Sequence, residues 1–236
     1  NDSGVTWTHI GLEFTRHISD IRIHPNNPDI IYVAAQGAQY GPSEQRGVYR
    51  TLDGGKSWKK ILYKSKTSGA SSLSMDMNNP RILYAAIWDH KRTPWKITSG
   101  GPDSGIYKSI DGGVSWKKIL YVNESTGCAD LAIDPENPLV LYASMWEHRR
   151  TAWSFESGGE NSALYKSNDG GQSWKKIHKG FPKGNLGRLA ISIAPSKSNI
   201  LYTVIEAEND SEKGLYRSED FGESWNQLNN DFEITV

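Results

Sequence analysis

TLDGGKSW, residues 51–58, recurs as SIDGGVSW (109–116), SNDGGQSW (167–174) and SEDFGESW (218–225). All four fit Ser/Thr-x-Asp-x-Gly-x-x-Trp, and DSGVTW (2–7) fits from its Asp onward. The aspartates Asp2, Asp53, Asp111, Asp169 and Asp220 stand 51, 58, 58 and 51 residues apart. Each full copy follows a short β-forming stretch (GVYRT, GIYKS, ALYKS, GLYRS) and precedes another (SWKKILY twice, SWKKIHK, SWNQL). Strand, tight turn and strand make a hairpin. The turn chemistry is consistent with that reading. An Asp carboxylate accepts N–H groups of its own turn, and the Ser or Thr hydroxyl does the same. Gly55, Gly113, Gly171 and Gly222 sit where a positive φ is needed. Trp58, Trp116, Trp174 and Trp225 each offer a large apolar plate to bury between neighbouring repeats.

Two further strands complete each period. ISDIRIHP, SLSMDMNN, ADLAIDPE and LAISIAPS alternate apolar and polar residues and run into turns. DIIYVAA, RILYAAI, LVLYASM and NILYTVI read as strands buried on both faces. Nothing shows helical periodicity. Four short strands (a, b, c and d) in a period of fifty-odd residues predict an all-β fold, a β-propeller of four-stranded blades. A β-sandwich would leave the fixed Asp-turn-Trp unexplained.

The blades are expected over about 18–64, 69–122, 128–179 and 186–232, in one propeller segment over 1–236. Residues 1–12, with VTWTHIGL, read as the last strand of a preceding blade. Closing four blades would leave that strand surplus, so the expectation is a partial propeller. Its open faces would be covered by the remaining blades of a larger propeller or by a second chain.

Bulk properties narrow the partners. Lys plus Arg and Asp plus Glu are 27 each among 236 residues, so no global field favours nucleic acid. No apolar run approaches a membrane span, so no membrane insertion is expected. The lone Cys128 makes no internal disulfide. The opening NDSGVTW shows no signal segment.

Variation is concentrated in one connection. The interval between the Tyr residues of strands b and c is 17, 23, 23 and 14, while the c Tyr to the box Asp is always 4. In blades two and three the longer b–c loop holds WDHKRTPW (88–95) and its copy WEHRRTAW (146–153). Loops that vary on a fixed scaffold are where function concentrates. The candidate ligand-binding residues are Trp88, Asp89, His90, Arg92 and Trp95, then Trp146, Glu147, His148, Arg150 and Trp153. Arg16, Asp20, Asp130 and Arg188 join them, with His17, Gln36, Tyr40, Glu206 and Glu208 on the same rim. Indole faces stack on sugars or cations, and arginine and acid fix polar groups. The competing reading is a loop stapled by Arg–carboxylate pairs with its Trp residues packed on the next blade. The box aspartates read as turn clamps rather than metal or ligand sites. The spacing of His90 and His148 matches no metal-ligand pattern, so neither metal nor cofactor is expected.

The repeated motif is that of the Asp-box, or bacterial neuraminidase repeat, and the chain resembles Asp-box propellers along essentially its whole length. RHISDIRIHPNNPDIIYVAA (16–35), LYAAIWDHKR (83–92), RTPWKITSGG (92–101) and GLYRSEDFGESW (214–225) carry a closer resemblance. They look like bacterial exported repeat proteins described as sortilin N-terminal-like or glycosyl hydrolase. The resemblance implies the propeller and an extracellular, periplasmic or cell-surface setting. For function it leaves two classes. One is a non-catalytic binding or assembly module that contacts a glycan, peptide or protein through the b–c rim. The other is a sialidase- or xyloglucanase-like glycoside hydrolase with paired carboxylates on that rim. The residues favour the first, since the arginine-proline motif of sialidases is not visible.

Overall fold

The computed structural model describes residues 3–231. The partial box at Asp2 and residue 232 of the fourth blade lie outside them. Blade one is β1 (Ile18–Ile23), β2 (Ile31–Ala35), β3 (Gly47–Thr51) and β4 (Lys59–Leu62), antiparallel in that order. Blade two is β5 (Ser68–Met75), β6 (Leu83–Thr93), β8 (Gly105–Ser109) and β9 (Lys117–Leu120), with an extra strand β7 (Lys96–Ser99). Blade three is β10 (Thr126–Ile133), β11 (Leu141–Arg150), β13 (Ala163–Ser167) and β14 (Lys175–Lys176), with an extra β12 (Phe155–Ser157). Blade four is β15 (Leu186–Ile193), β16 (Leu201–Ala207), β17 (Gly214–Ser218) and β18 (Asn226–Asn229). Among the described residues the only helix is a single 3₁₀ turn, Asp210–Glu212. The all-β propeller segment read from the repeat is the fold.

Three apolar clusters fill the spaces between successive blades. Tyr32, Val48 and Leu62 of blade one meet Leu73, Leu83 and Ile87 of blade two. Tyr84, Ile106 and Leu120 of blade two meet Leu131, Leu141 and Met145 of blade three. Tyr142, Leu164 and Phe181 meet Leu189, Leu201 and Trp225 across the next boundary. Strand b is buried on both faces in blades two and three, each of which packs against two neighbours, whereas β16 of blade four alternates buried and half-buried residues.

Polar groups tie the innermost strands together. The Asp20 carboxylate accepts the Leu73 N–H at 3.1 Å, and Asp130 accepts the Ile191 N–H at 3.0 Å. Ser19 donates to the Ala70 carbonyl at 2.7 Å and Ser71 to the Cys128 carbonyl at 2.6 Å.

One glycine sets the outer edge of a blade. Gly47 has φ +117°, and a Cβ there would overlap the Leu62 carbonyl oxygen of β4. Gly105 and Gly214 stand in the same relation to Leu120 and Asn229. Blade three has Ala163 at this position, and its outer strand is cut to Lys175–Lys176. The added methyl group excludes the close approach by which the other three outer strands continue pairing past a register shift.

The opening segment departs from expectation. Residues 3–17 hold no strand. A d strand pairs only with the c strand of its own blade, and the described residues before 18 supply none. The segment nevertheless stands where a preceding d strand would. Trp58 Nε1 donates to the Ile10 carbonyl at 2.8 Å, just as Trp174 Nε1 donates to the Ile119 carbonyl of β9 at 3.1 Å.

Candidate functional site

The long b–c connections of blades two and three are not loops but strand extensions. β6 runs 11 residues and turns at Pro94–Trp95 into β7, pairing His90 with Ser99 and Arg92 with Ile97. β11 runs 10 residues and returns through β12, pairing His148 with Ser157 and Arg150 with Phe155. Arg150 also pairs with Ile97, so both hairpins form one small sheet, β6-β7-β11-β12, standing on the rim. Blade one adds a parallel bridge from Tyr40 to Arg92, and Gly159 bridges to Leu186 of blade four.

Strand alternation then sorts the repeated motif. Trp88, His90 and Arg92 fall on one face, with Trp146 and His148 beside them. Together with His17, Gln36, Gln39, Arg46, Ile97 and Arg188 they wall a cavity of about 360 Å³. Its floor is aromatic. The Trp88 and Trp146 ring centroids are 5.7 Å apart, His90 lies 4.8 Å from Trp88, and His148 stacks on Trp146 at 4.3 Å. Trp88 Nε1 donates to Ser99 Oγ at 2.7 Å, and Trp146 Nε1 to Ser157 Oγ at 3.3 Å, so both indoles are buried with a partner.

The wall is cationic. The Arg92 guanidinium lies 5.6 Å from the Tyr40 ring centroid and that of Arg188 lies 5.6 Å from Trp146. Arg46 is buried and donates to the carbonyls of Gln36 (2.8 Å), Ala38 (2.5 Å) and Gly41 (3.4 Å). Burial lowers its pKa. Burial also pushes the His90 imidazole down to about 4, helped by the charges of His148, Arg46 and Arg92. His148 is lowered chiefly by burial as well. Both rings are therefore neutral near pH 7. No described carboxylate lines the cavity.

The acidic candidates are elsewhere. Asp89 and Glu147 face away from the cavity. Asp89 accepts Thr67 Oγ1 at 3.1 Å, and Glu147 accepts Thr126 Oγ1 at 3.2 Å and Asn123 Nδ2 at 3.4 Å. Burial raises the pKa of Asp89. Asp20 and Asp130 staple inner strands and do not reach the cavity. Arg150 is exposed along the hairpin sheet, and Arg16, with φ +66°, does not line the cavity; its neighbour His17 does. Trp95 and Trp153 stand at the hairpin tips, 66% and 86% exposed. The two Trp residues of each motif therefore divide the roles weighed for them: the first is packed and the second is open.

Each box turn is closed by its own side chains. Ser115 donates from N (2.9 Å) and Oγ (2.5 Å) to Asp111, and Gly113 N donates to Ser109 Oγ at 2.8 Å. Asp53, Asp169 and Asp220 repeat the pattern with Ser57, Ser173 and Ser224. Hydrogen bonds, led by that from Ser57, hold the Asp53 carboxyl down to about 2. The second, third and fourth boxes each also receive a donor from the blade before them. Arg50 Nη1 donates to the Gly112 carbonyl at 2.7 Å, and Lys108 Nζ to the Gly170 carbonyl at 2.8 Å. Lys166 Nζ reaches Glu223 Oε1 at 2.6 Å. No group of three or more potential metal ligands is present among the described residues.

Arg46, Gln39 and Ile97 are cavity residues that the motif search does not reach. Arg46 aligns with Ser104, Ser162 and Lys213, each directly before strand c, so the position is basic in blades one and four and small in the two that carry the long hairpins.

A family model described as Sortilin, neurotensin receptor 3 (Sortilin-Vps10) matches the chain over residues 1–129 and again over 104–235. Xyloglucanase Xgh74A of Acetivibrio thermocellus is 26% identical over 186 residues, which take in 72% of this chain and 20% of that protein. The Photosystem II assembly lipoprotein Ycf48 of Synechococcus sp. (strain CC9902) is 25% identical over 206 residues, 74% of this chain and 54% of that one. The chain thus spans from a fifth to about half of these relatives. Among solved structures, the GH74 xyloglucanase from Xanthomonas campestris superposes with a TM-score of 0.61 at 16% identity, over 92% of this chain and 31% of that enzyme. That likeness is one of fold.

Proposed function

The chain belongs to the Sortilin-Vps10 family, and from that premise we propose that it is a non-catalytic binding or assembly module acting through its hairpin-bearing rim. The observation that carries this reading is the composition of the rim. A cavity of aromatic rings, guanidinium groups and neutral imidazoles lies beneath two open indoles, and no described carboxylate lines it. Such a surface is suited to holding a glycan, peptide or protein partner. Glycoside hydrolysis needs an acid pair flanking the scissile bond. Asp20 and Asp130 accept backbone amides, and Asp89 and Glu147 face away from the cavity. The hydrolase alternative is therefore supported by the relatives' names rather than by this rim.

The module works outside the cytoplasm in this proposal, a setting consistent with the relative named a lipoprotein. No described helix is long and apolar enough to cross a membrane. The free faces of blades one and four pack against further blades or a second chain. On blade four, Arg217 lies 5.9 Å from the Tyr202 ring centroid, and its counterparts Arg50, Lys108 and Lys166 each reach the next box.

Glycan and peptide arrays probed with the wild type and with Trp95→Ala and Trp153→Ala test the rim. Binding that drops in both variants is expected. A wild type that retains nothing, or variants that bind as well as it does, would defeat the reading.

A further inference from the structure

The lining of the rim cavity carries three guanidinium groups and no carboxylate, while Asp89 acts on Arg46 and Asp130 on Arg188 from outside that lining. Arg92 and Arg188 each lie over an aromatic ring, and neither makes an ion pair among the described residues. Arg46 is 1% exposed and its Nε has no partner. A guanidinium taken out of water with only partial compensation from an acid is costly. The same wall contains His148, 7% exposed, whose Nδ1 also lacks a partner. Two polar groups in buried side chains of the cavity wall are thus unpaired, and every formal charge on that wall is positive.

Resting on the reading of this rim as a contact surface, we propose that the cavity receives an oxyanion, a carboxylate or sulfate group of the ligand, and takes up a proton with it. Guanidinium groups pair with such oxygens through parallel N–H donors, and partial burial strengthens the attraction.

The proton follows from the two imidazoles. His148 faces Arg92 and Arg188, which oppose its charging, and Glu206, which favours it; the Glu156 backbone hydrogen-bonds to it and also favours charging. His90 faces His148, Arg46 and Arg92, all of which oppose charging. Burial is the larger cause for both rings. Glu206 is itself engaged, accepting Ser157 Oγ at 2.7 Å and Arg188 N at 3.0 Å. A bound anion adds the negative charge the wall lacks and raises the pKa of both rings. The complex then holds more protons than the free protein, so affinity rises as pH falls toward the range in which the free rings charge.

Calorimetry with D-glucuronate, sulfate and D-glucose, at about pH 7.5 and about pH 5.5 in buffers of different ionisation enthalpy, tests this. The expected result is that at least one anion binds and glucose does not. Binding should tighten several-fold at the lower pH, with net proton uptake. Whichever anion binds identifies the oxyanion as carboxylate or sulfate. Arg92→Gln and Arg188→Gln should each weaken it by about tenfold or more. His90→Gln should reduce proton uptake with circular dichroism unchanged, and Arg188→Gln serves as the readout if that variant does not fold. Anions that bind no better than glucose, affinity that weakens at low pH, or Arg variants that bind normally would overturn the proposal. If neutral glycans or peptides on the arrays bind while both anions fail, the rim reading survives and the oxyanion is lost.

Discussion

Trp88 and Trp146 occupy the same position in adjacent blades, and their rings meet across the blade boundary at 5.7 Å with an interplanar angle of 52°. Gly127 allows that approach, since a Cβ there would overlap the Trp88 indole. The first Trp of each motif is therefore structural, and the second, at the hairpin tip, is free. Trp88→Ala and Trp146→Ala should each cost about 3–5 kcal/mol, as for other buried Trp truncations. Trp95→Ala and Trp153→Ala should stay within about 0.5 kcal/mol of the wild type. Urea unfolding of the four variants checks the contrast, and equal losses would contradict the division of roles.

The box carboxylates are held deprotonated by their turns. The hydrogen bond from Ser115 Oγ is the largest cause of the lowered Asp111 pKa. Ser115→Ala should therefore raise that pKa, as read by an NMR titration of the carboxyl carbon. Because the folded pKa lies below the unfolded value, the box's contribution is present above about pH 4 and lost as pH falls through the folded pKa. An unchanged titration in Ser115→Ala would remove the clamp.

Lys108 tests the link between successive blades. Its ammonium donates to the Gly170 carbonyl of the next box at 2.8 Å. Lys108→Met keeps the apolar stem and leaves that carbonyl without its donor, for an expected loss of about 1–2 kcal/mol. Thermal melts suffice to measure it, and a neutral result would mean that water replaces the ammonium.

His90 makes stability depend on pH. Burial holds its folded pKa at about 4, below the unfolded value of about 6.5. The unfolded chain binds the proton first, so stability is full above about pH 6.5 and declines as pH falls through about 4. His90→Gln should flatten that decline in unfolding curves collected across the interval. The same slope in the variant would assign the loss to other groups.

The box hairpins were legible because every determinant of the turn lies within eight consecutive residues. Asp53, Ser57 and Gly55 meet within one turn, so sequence spacing and spatial contact coincide. The rim was legible in composition but not in shape. The sequence of Trp88, His90 and Arg92 reads as a loop, whereas they are alternate residues of an extended strand. Their polar character on both faces hid the period, because this strand leaves the blade and pairs with its own return arm. Asp20 and Asp130 looked like rim acids, but their partners are amides 53 and 61 residues away, a relationship that only the blade geometry creates. Arg46 lies outside the repeated motifs, and its basic counterpart Lys213 stands in the distant fourth blade.

The pairing of Arg150 with Ile97 has a mechanical consequence. It joins blades two and three through the hairpin sheet, to which Tyr40–Arg92 and Gly159–Leu186 link blades one and four by single bridges. That seam also fixes the spacing of the two tips, so Trp95 and Trp153 move as a rigid fork rather than as independent fingers.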